Sequence, residues 1–259
     1  MRIALALGAG GARGYAHIAV VEELTARGHE IVAVSGASMG ALVGATVVTG
    51  HLAELKEFAL GVKPTNLVRL LGPTIPAGGL ASASGAMDEL RRVIGDIRIE
   101  DCPIPYTAVA SDIVSQEEVW ITTGPIVDAV RASIAIPVVF TPASRNGRWL
   151  LDGGCTNPLP IEPLSKVEAD LIVAVSLQEP PRTPPTSNDM VKLDLASAAI
   201  LATDALLSSL QRARAVTTPP DVLIGIPCDL VRFLDMHRAA FAIDAGREIV
   251  IKALDEAGL

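Results

Sequence analysis

The chain has 259 residues, of which 50% are hydrophobic and 19% charged, enough for a sizeable core and too apolar for a disordered protein. A formal net charge of -8 and only 3% aromatic residues disfavour a nucleic-acid partner. Binding along a phosphate backbone needs a positively charged surface, and base stacking needs aromatic side chains. The three cysteines are far apart and include no C-x-x-C pair, so neither a disulfide framework nor a metal site is predicted.

The chain opens with a buried strand predicted at residues 3–7, and a helix is predicted over residues 15–27. The apolar run at 3–7 is too short for a secretion signal, and no run reaches the roughly 18 apolar residues of a membrane span. We therefore expect a cytoplasmic protein.

The loop between these two elements, GAGGARG at residues 8–14, can point several backbone N–H groups at one anion. That anion is either a phosphate, as in a dinucleotide fold, or the oxyanion of a reaction intermediate. The phosphate reading is disfavoured because Arg13 stands where the third glycine of G-x-G-x-x-G, counted from Gly8, belongs.

Residues 31–49 carry the strongest motif of the chain. A β-branched apolar run ends in GASMG at residues 36–40 and gives way to a small-residue helix, which predicts a strand, a sharp turn and a helix with Ser38 at the apex. Gly36 and Gly40 lack side chains, so strand and helix can approach closely. A serine placed in this way lies at a helix N-terminus, where a developing anion is favoured.

The segment 62–85 follows a predicted helix at 51–60 and precedes another at 86–94. It is rich in proline and glycine yet contains several large apolar residues. It is either a lid over a hydrophobic site or a loop packed on the core, and it is the segment through which peripheral membrane contact would be made.

The rest of the chain alternates strands and helices. This alternation predicts one α/β domain over residues 1–259, with a largely parallel sheet covered on both faces. The predicted strands are 106–113, 117–122, 149–151, 171–177 and 222–226, the predicted helices are 126–133, 189–215 and 238–257, and a proline-rich connection occupies 179–188.

Serine needs a base to become a nucleophile, and the sequence offers Asp152 in the tight turn DGG at residues 152–154. Parallel strands place their following loops at one sheet edge, so we expect this turn, Ser38 and the glycine loop to meet there. A carboxylate can act as base directly only if an apolar site raises its basicity. Asp112 is the rival carboxylate, although no glycines follow it.

Three of these motifs, GGARG at 10–14, GASMG at 36–40 and DGG at 152–154, together resemble the patatin-like phospholipases of the single-domain bacterial kind. The resemblance extends to ASIAIP at 132–137, to Asn157 and to His17 beside the glycine loop, and it spans roughly residues 1–176. If the family's glycine pattern ends at Gly14, its first glycine is replaced here by Ala9. Residues 177–259 complete the fold without a motif of their own.

The resemblance implies a three-layer α/β/α fold and hydrolysis of lipid-like acyl esters without a metal or cofactor. Ser38 would be the nucleophile and Asp152 the proton acceptor in a catalytic dyad. The oxyanion hole would be formed by the backbone N–H groups of Gly10, Gly11 and Ala12. Supporting positions of the motifs are Arg13, Gly14, Gly36, Gly40, Gly153, Gly154 and Asn157.

Several roles stay open at this point. Arg13 either pairs with a carboxylate to hold the loop or meets an anionic head group, and Asn157 either orients the Asp152 turn or caps the segment before Pro158. An α/β-hydrolase triad of Ser38, Asp152 and His237 satisfies the required chain order and is the first alternative. The second is a non-catalytic protein whose glycine loop binds a phosphorylated ligand.

Overall fold

A mixed β-sheet with flanking helices organises the computed structural model, which describes residues 1–66, 70, 72, 79–183 and 195–259. The strands are β1 (Arg2–Leu7), β2 (Glu30–Ala37), β3 (Gly79–Ala81), β4 (Tyr106–Asp112), β5 (Glu117–Ile121), β6 (Val138–Phe140), β7 (Ala143–Arg145), β8 (Arg148–Asp152), β9 (Leu171–Glu179) and β10 (Val222–Pro227). The helices are α1 (Ala16–Ala26), α2 (Met39–Val48), α3 (Leu52–Leu60), α4 (Ser84–Ile94), α5 (Ile126–Ser133), α6 (Leu195–Ala215) and α7 (Ala239–Ala257).

Within the described part of the chain, eight strands form one sheet in the order β10-β9-β1-β2-β4-β8-β7, with β5 paired to β4. The five strands from β10 to β4 are parallel, whereas β5, β7 and β8 run antiparallel to their neighbours. Helices follow most of the parallel strands and cover the sheet. The predicted α/β class with a mainly parallel sheet is confirmed.

Alternation along β1 explains the two faces of the sheet. The large side chains of Ile3, Leu5 and Leu7 belong to the main core, to which α1, α2, α5 and α7 also contribute. Ala4 and Ala6 point the other way, because successive strand residues face opposite sides. There they meet a smaller apolar cluster contributed by the segment 159–167, and α6 packs beside it against β9.

Most predicted elements match the structure to within a few residues. The hairpin of β4 and β5 and the helix α5 are confirmed, whereas the short strands β3, β6 and β7 had no counterpart in the sequence reading. The helix α4 begins at Ser84, so the predicted loop 62–85 is too long at its end. Residues 67–69, 71 and 73–78 of that loop, and residues 184–194 before α6, lie outside the described residues.

The glycines of the Ser38 turn are required by close packing, as predicted. A Cβ at Gly36 would overlap the backbone of Gly40, and a Cβ at Gly40 would overlap the carbonyl of Leu7 on β1. Strand β2, helix α2 and β1 therefore meet at van der Waals distance, which fixes the direction in which α2 leaves the sheet.

We expect Gly40→Ala to lower the free energy of unfolding by about 1–3 kcal/mol, because the added methyl group must displace the backbone of β1. Gly61→Ala is the comparison variant, since its Cβ would lie 3.3 Å from Phe58 O, a tight contact but not an overlap like that of Gly40 with Leu7 O. Urea denaturation of both variants measures the difference. Equal stability of the two variants would show that the strand and the helix are not in close contact.

Candidate active site

Ser38 occupies the turn between β2 and α2 in a backbone conformation that few residues adopt. Its φ is 56° and its ψ is -122°, and its side chain is nearly buried, with 3% of the residue exposed. Positive φ in a residue with a Cβ is strained, and such strain concentrates at functional turns. The predicted sharp turn with a serine at its apex is therefore present.

The backbone of Ser38 is held by a residue to which the sequence reading gave no role. Ser133, at the end of α5, accepts a hydrogen bond from the Ser38 amide at 2.9 Å and donates one to Val109 O at 2.6 Å. Ser133 is fully buried, so this pair of bonds joins α5, β4 and the strained turn. The motif ASIAIP drew attention to the segment but could not reveal this contact.

Asp152 reaches Ser38 by a route that differs from the predicted one. The sequence reading placed it at the carboxyl edge of a parallel sheet, but β8 is antiparallel to β4. Ala37 pairs with Val109, and the next residue of β4, Ala110, pairs with Asp152. Strand β8 thus runs towards the end of β2, and its last residue stops beside the Ser38 turn.

The Asp152 carboxyl has one bonded oxygen and one unbonded one. Oδ1 accepts a hydrogen bond from the Gly154 amide at 2.8 Å, whereas Oδ2 is buried and, among the described residues, receives no hydrogen bond of ordinary length and angle. The Ser38 hydroxyl is nonetheless near enough to act on the pKa of this carboxyl as a hydrogen-bond donor. We interpret this as a loose contact, because catalytic hydrogen bonds are often long without substrate.

Burial raises the pKa of the Asp152 carboxyl from 3.8 to about 6, and the bonds from Ser38 and Gly154 only partly oppose this rise. Only 5% of the residue is exposed, so water solvates the carboxylate poorly and its charged form is disfavoured. Ala9, Ala37 and Val109, which lie in the glycine loop and in the strands beside the Ser38 turn, form a small buried apolar cluster. The carboxylate is therefore a better base than an ordinary aspartate, as the direct mechanism requires.

The three amides predicted to form the oxyanion hole differ in their hydrogen bonding. Ala9 N donates to Pro158 O and Ala12 N to Phe233 O, each at 2.8 Å, while no such backbone partner takes the amides of Gly10 and Gly11 within the described residues. Ala12, named as an oxyanion donor from the sequence, is thus not available in this conformation. A Cβ at Gly10 would overlap Leu177, and one at Gly11 would overlap Phe233, so both positions require glycine.

Arg13 pairs with a carboxylate, the first of the two roles that the sequence left open. It is 1% exposed and forms a two-pronged ion pair with Asp204 of α6, at 2.5 and 3.1 Å. Its remaining bonds go to the carbonyls of Gly10 and Cys228. Every guanidinium nitrogen is thus engaged within the protein, which leaves none to bind an anionic head group.

The other candidate residues lie away from the serine–aspartate pair. Asp112 accepts bonds from the amides of Val114 and Ser115 in the turn after β4, and it serves that turn. His237 is exposed in the 3-10 turn before α7 and, among the described residues, bonds to neither Ser38 nor Asp152.

His17 and Asn157 are buried supports. His17 bonds through Nε2 to the carbonyl of Gly8 at 2.9 Å, and burial lowers its pKa to about 4, so it is neutral at pH 7. The backbone amide of Asn157 donates to Gly153 O at 2.9 Å, and its side-chain amide donates to Glu118 and Glu162 at 3.0 Å each. Asn157 therefore ties the DGG turn to two carboxylates.

No cluster of three metal-ligating side chains occurs among the described residues. In the same part of the chain, no helix combines the length and apolarity needed to span a bilayer. Within the segment 62–85, predicted as a lid or membrane contact, residues 67–69, 71 and 73–78 lie outside the described residues, and both roles stay predictions.

Comparison with known proteins gives consistent results. A family model described as patatin-like phospholipase matches residues 5–165, more than half of the chain. An uncharacterized NTE family protein of Mycobacterium tuberculosis is 49% identical over 176 residues, which make up 68% of this chain and 49% of that protein. The chain therefore spans about half the length of such mycobacterial relatives.

Two more distant matches agree with these. The neuropathy target esterase of Drosophila melanogaster is 32% identical over 186 residues, covering 68% of this chain and 13% of that protein. The crystal structure of VipD from Legionella pneumophila aligns with a TM-score of 0.52 and 17% identity, covering 99% of this chain and 67% of that chain. The second match bears on the fold alone.

Proposed function

The chain belongs to the patatin-like phospholipase family, and we propose that it hydrolyses carboxylic esters of lipid-like substrates through an acyl intermediate on Ser38. One observation carries the proposal above the rest. A serine on a strained strand-to-helix turn lies beside a buried carboxyl whose Oδ2 has no other partner among the described residues. The mechanism uses side chains and backbone amides only.

In the first half of the reaction, Asp152 removes the proton of the Ser38 hydroxyl as the Ser38 oxygen attacks the ester carbonyl carbon. The carbonyl oxygen becomes an oxyanion, which the free amides of Gly10 and Gly11 stabilise by hydrogen bonds. The intermediate collapses when the carbon–oxygen bond to the alcohol breaks, and protonated Asp152 returns its proton to the leaving alcohol. The acyl group remains on Ser38.

In the second half, a water molecule takes the place of the alcohol. Asp152, ionised again, accepts a proton from this water while the water oxygen attacks the acyl carbon. The same two amides stabilise the second oxyanion, and the Ser38 oxygen leaves with the proton that Asp152 returns. The products are a carboxylic acid and the regenerated dyad.

The two alternative readings receive no such support. A Ser–Asp–His triad needs a histidine in contact with the carboxylate, but His237 is exposed and unbonded to it within the described part of the chain. A phosphate site would draw on Arg13, whose guanidinium is occupied by Asp204 and two carbonyls.

We expect kcat/KM to rise with pH and to level off above an apparent pKa near 6. Asp152 must be ionised to accept a proton, and burial places its pKa at about 6 in the free enzyme. Below that value the carboxyl is protonated and the base is lost. Initial rates on a neutral ester between pH 4.5 and 8.5 measure the profile, and activity that stays constant down to pH 5 would contradict Asp152 as the base.

The test of the function is a substrate panel. Purified protein should be assayed on p-nitrophenyl esters of increasing acyl length, on phosphatidylcholine and lysophosphatidylcholine vesicles, and on a peptide amide as a control. We expect turnover of the esters and none of the peptide amide. Absence of turnover on every ester, from a protein that is folded by circular dichroism, would overturn the proposal.

A further inference from the structure

The orientation of the two free amides is set by the carbonyl groups that precede them. In a trans peptide unit the C=O and the next N–H point in opposite directions, so fixing one fixes the other. The Ala9 carbonyl therefore orients the Gly10 amide, and the Gly10 carbonyl orients the Gly11 amide. Whatever binds these two carbonyls controls the aim of the proposed oxyanion hole.

The Gly10 carbonyl accepts a hydrogen bond from Arg13 Nε at 3.0 Å. Arg13 is in turn held by Asp204, which binds two of its nitrogens from the middle of α6. A flexible arginine side chain has many rotamers, and a two-pronged carboxylate selects one of them. Asp204 thus sets the plane of the guanidinium that holds the carbonyl.

The Ala9 carbonyl accepts a hydrogen bond from Gln178 Nε2 at 3.3 Å. Gln178 lies at the end of β9 with 4% of the residue exposed. The same helix steadies it, since Ser208 of α6 donates to Gln178 O at 3.4 Å and Gln211 donates to Ser176 Oγ at 2.6 Å. Asp204, Ser208 and Gln211 are spaced four and three residues apart, which places them on one side of α6.

We propose that Asp204 and Gln178 are positioning residues that aim the Gly11 and Gly10 amides at the oxyanion, and that α6 is the element that seats both. The inference rests on the proposed function, because it concerns the same oxyanion. It adds a role for the C-terminal third of the chain, since both residues lie beyond the matched residues 5–165 and belong to no motif.

The experiment compares Asp204→Asn, Asp204→Glu and Gln178→Met with wild type. Three quantities are measured for each: kcat per titrated active site, KM for a p-nitrophenyl ester, and Ki for an alkyl trifluoromethyl ketone. The ketone forms a tetrahedral oxyanion on the serine, so its affinity reports the oxyanion hole rather than ground-state binding. We expect Asp204→Asn to lower kcat about 10- to 100-fold and Gln178→Met about 10-fold, with KM within about threefold of wild type.

In Asp204→Asn and Gln178→Met we expect Ki for the ketone to rise by the same factor by which kcat/KM falls. In Asp204→Glu both quantities should lie between those of Asp204→Asn and wild type. The control is Arg247→Gln, which breaks the two ion pairs of α7 with Glu22 and Glu23 on α1. This control should lower thermal stability without changing kcat per site or Ki. If Asp204→Asn does not fold, Gln178→Met and Asp204→Glu carry the test, because both keep the charge of Arg13 paired.

Two outcomes overturn the inference in distinguishable ways. Unchanged Ki and unchanged kcat per titrated site in the folded variants, with an active wild type, would make Asp204 and Gln178 merely structural. A wild type that neither hydrolyses esters nor binds the ketone would remove the proposed function together with the inference.

Discussion

Replacing Ser38 with alanine should reduce ester turnover by at least about 10⁴-fold, because the hydroxyl oxygen is the only atom proposed to bond to the acyl group. The fold should be retained, since alanine occupies the same backbone conformation and the Ser133 bond goes to the Ser38 amide rather than to its side chain. Without this oxygen no acyl-enzyme can form, so a pre-steady-state burst of p-nitrophenol should be absent from the variant. Steady-state and stopped-flow assays measure both effects.

Ser209→Ala is the matched control for this variant. Ser209 is an exposed serine on α6 whose hydroxyl donates to Ala205 O within the helix, so its loss should leave kcat unchanged. Turnover in Ser38→Ala above about one tenth of wild type would mean that another group forms the acyl intermediate or that none is formed.

Replacing Asp152 with asparagine should have two opposite effects. The rate should fall at least about 10²-fold, because the amide keeps the shape of the carboxyl but cannot accept the serine proton. The stability at pH 7.5 should rise by about 1–3 kcal/mol, because the variant no longer buries a negative charge whose pKa is raised to about 6.

The pH dependence of that stability difference has a fixed sign. Folding raises the pKa of the Asp152 carboxyl, so protonation of this group favours the native state. Its contribution to the free energy of unfolding is complete below the unfolded pKa of 3.8 and is lost as the pH rises through about 6. The gap in the free energy of unfolding between Asp152→Asn and wild type should therefore narrow as pH falls from 7.5 to 4.5. Urea denaturation at these pH values measures it, and a gap that widens would contradict the buried carboxylate.

His237→Ala distinguishes the dyad from the triad in the same assays. We expect kcat close to that of wild type, because the exposed imidazole makes no bond to Asp152 within the described residues. A loss of several orders of magnitude in His237→Ala would instead favour the triad.

Sequence chemistry predicted the parts of the site that depend on local geometry. The Ser38 turn needs glycines at positions 36 and 40 for steric reasons that the spacing alone conveys, and the structure has the expected close contacts. The close packing of Gly10 on Leu177 and of Gly11 on Phe233 follows from bare α-carbons in the same way. What the sequence could not predict was which amides are free, because Phe233, far along the chain, occupies the amide of Ala12.

The route by which Asp152 arrives was also beyond the sequence. Strand β8 has five residues and its hairpin partner β7 has three. Strands this short give no sequence signal that predicts their antiparallel pairing. The prediction used the carboxyl edge of a parallel sheet, whereas the antiparallel pairing of Asp152 with Ala110 brings the carboxylate to Ser38. Long-range contacts such as Ser133 with the Ser38 amide leave no spacing signal at all.

The central claim is that Ser38 is the nucleophile and that Asp152 activates it. A fluorophosphonate forms a stable bond only to an activated serine, so the most direct measurement is mass-spectrometric mapping of the adduct together with its rate of formation. The account predicts a single adduct on Ser38 that forms at least about 10²-fold more slowly in Asp152→Asn. An adduct on another residue, or equal labelling rates in the two proteins, would contradict it.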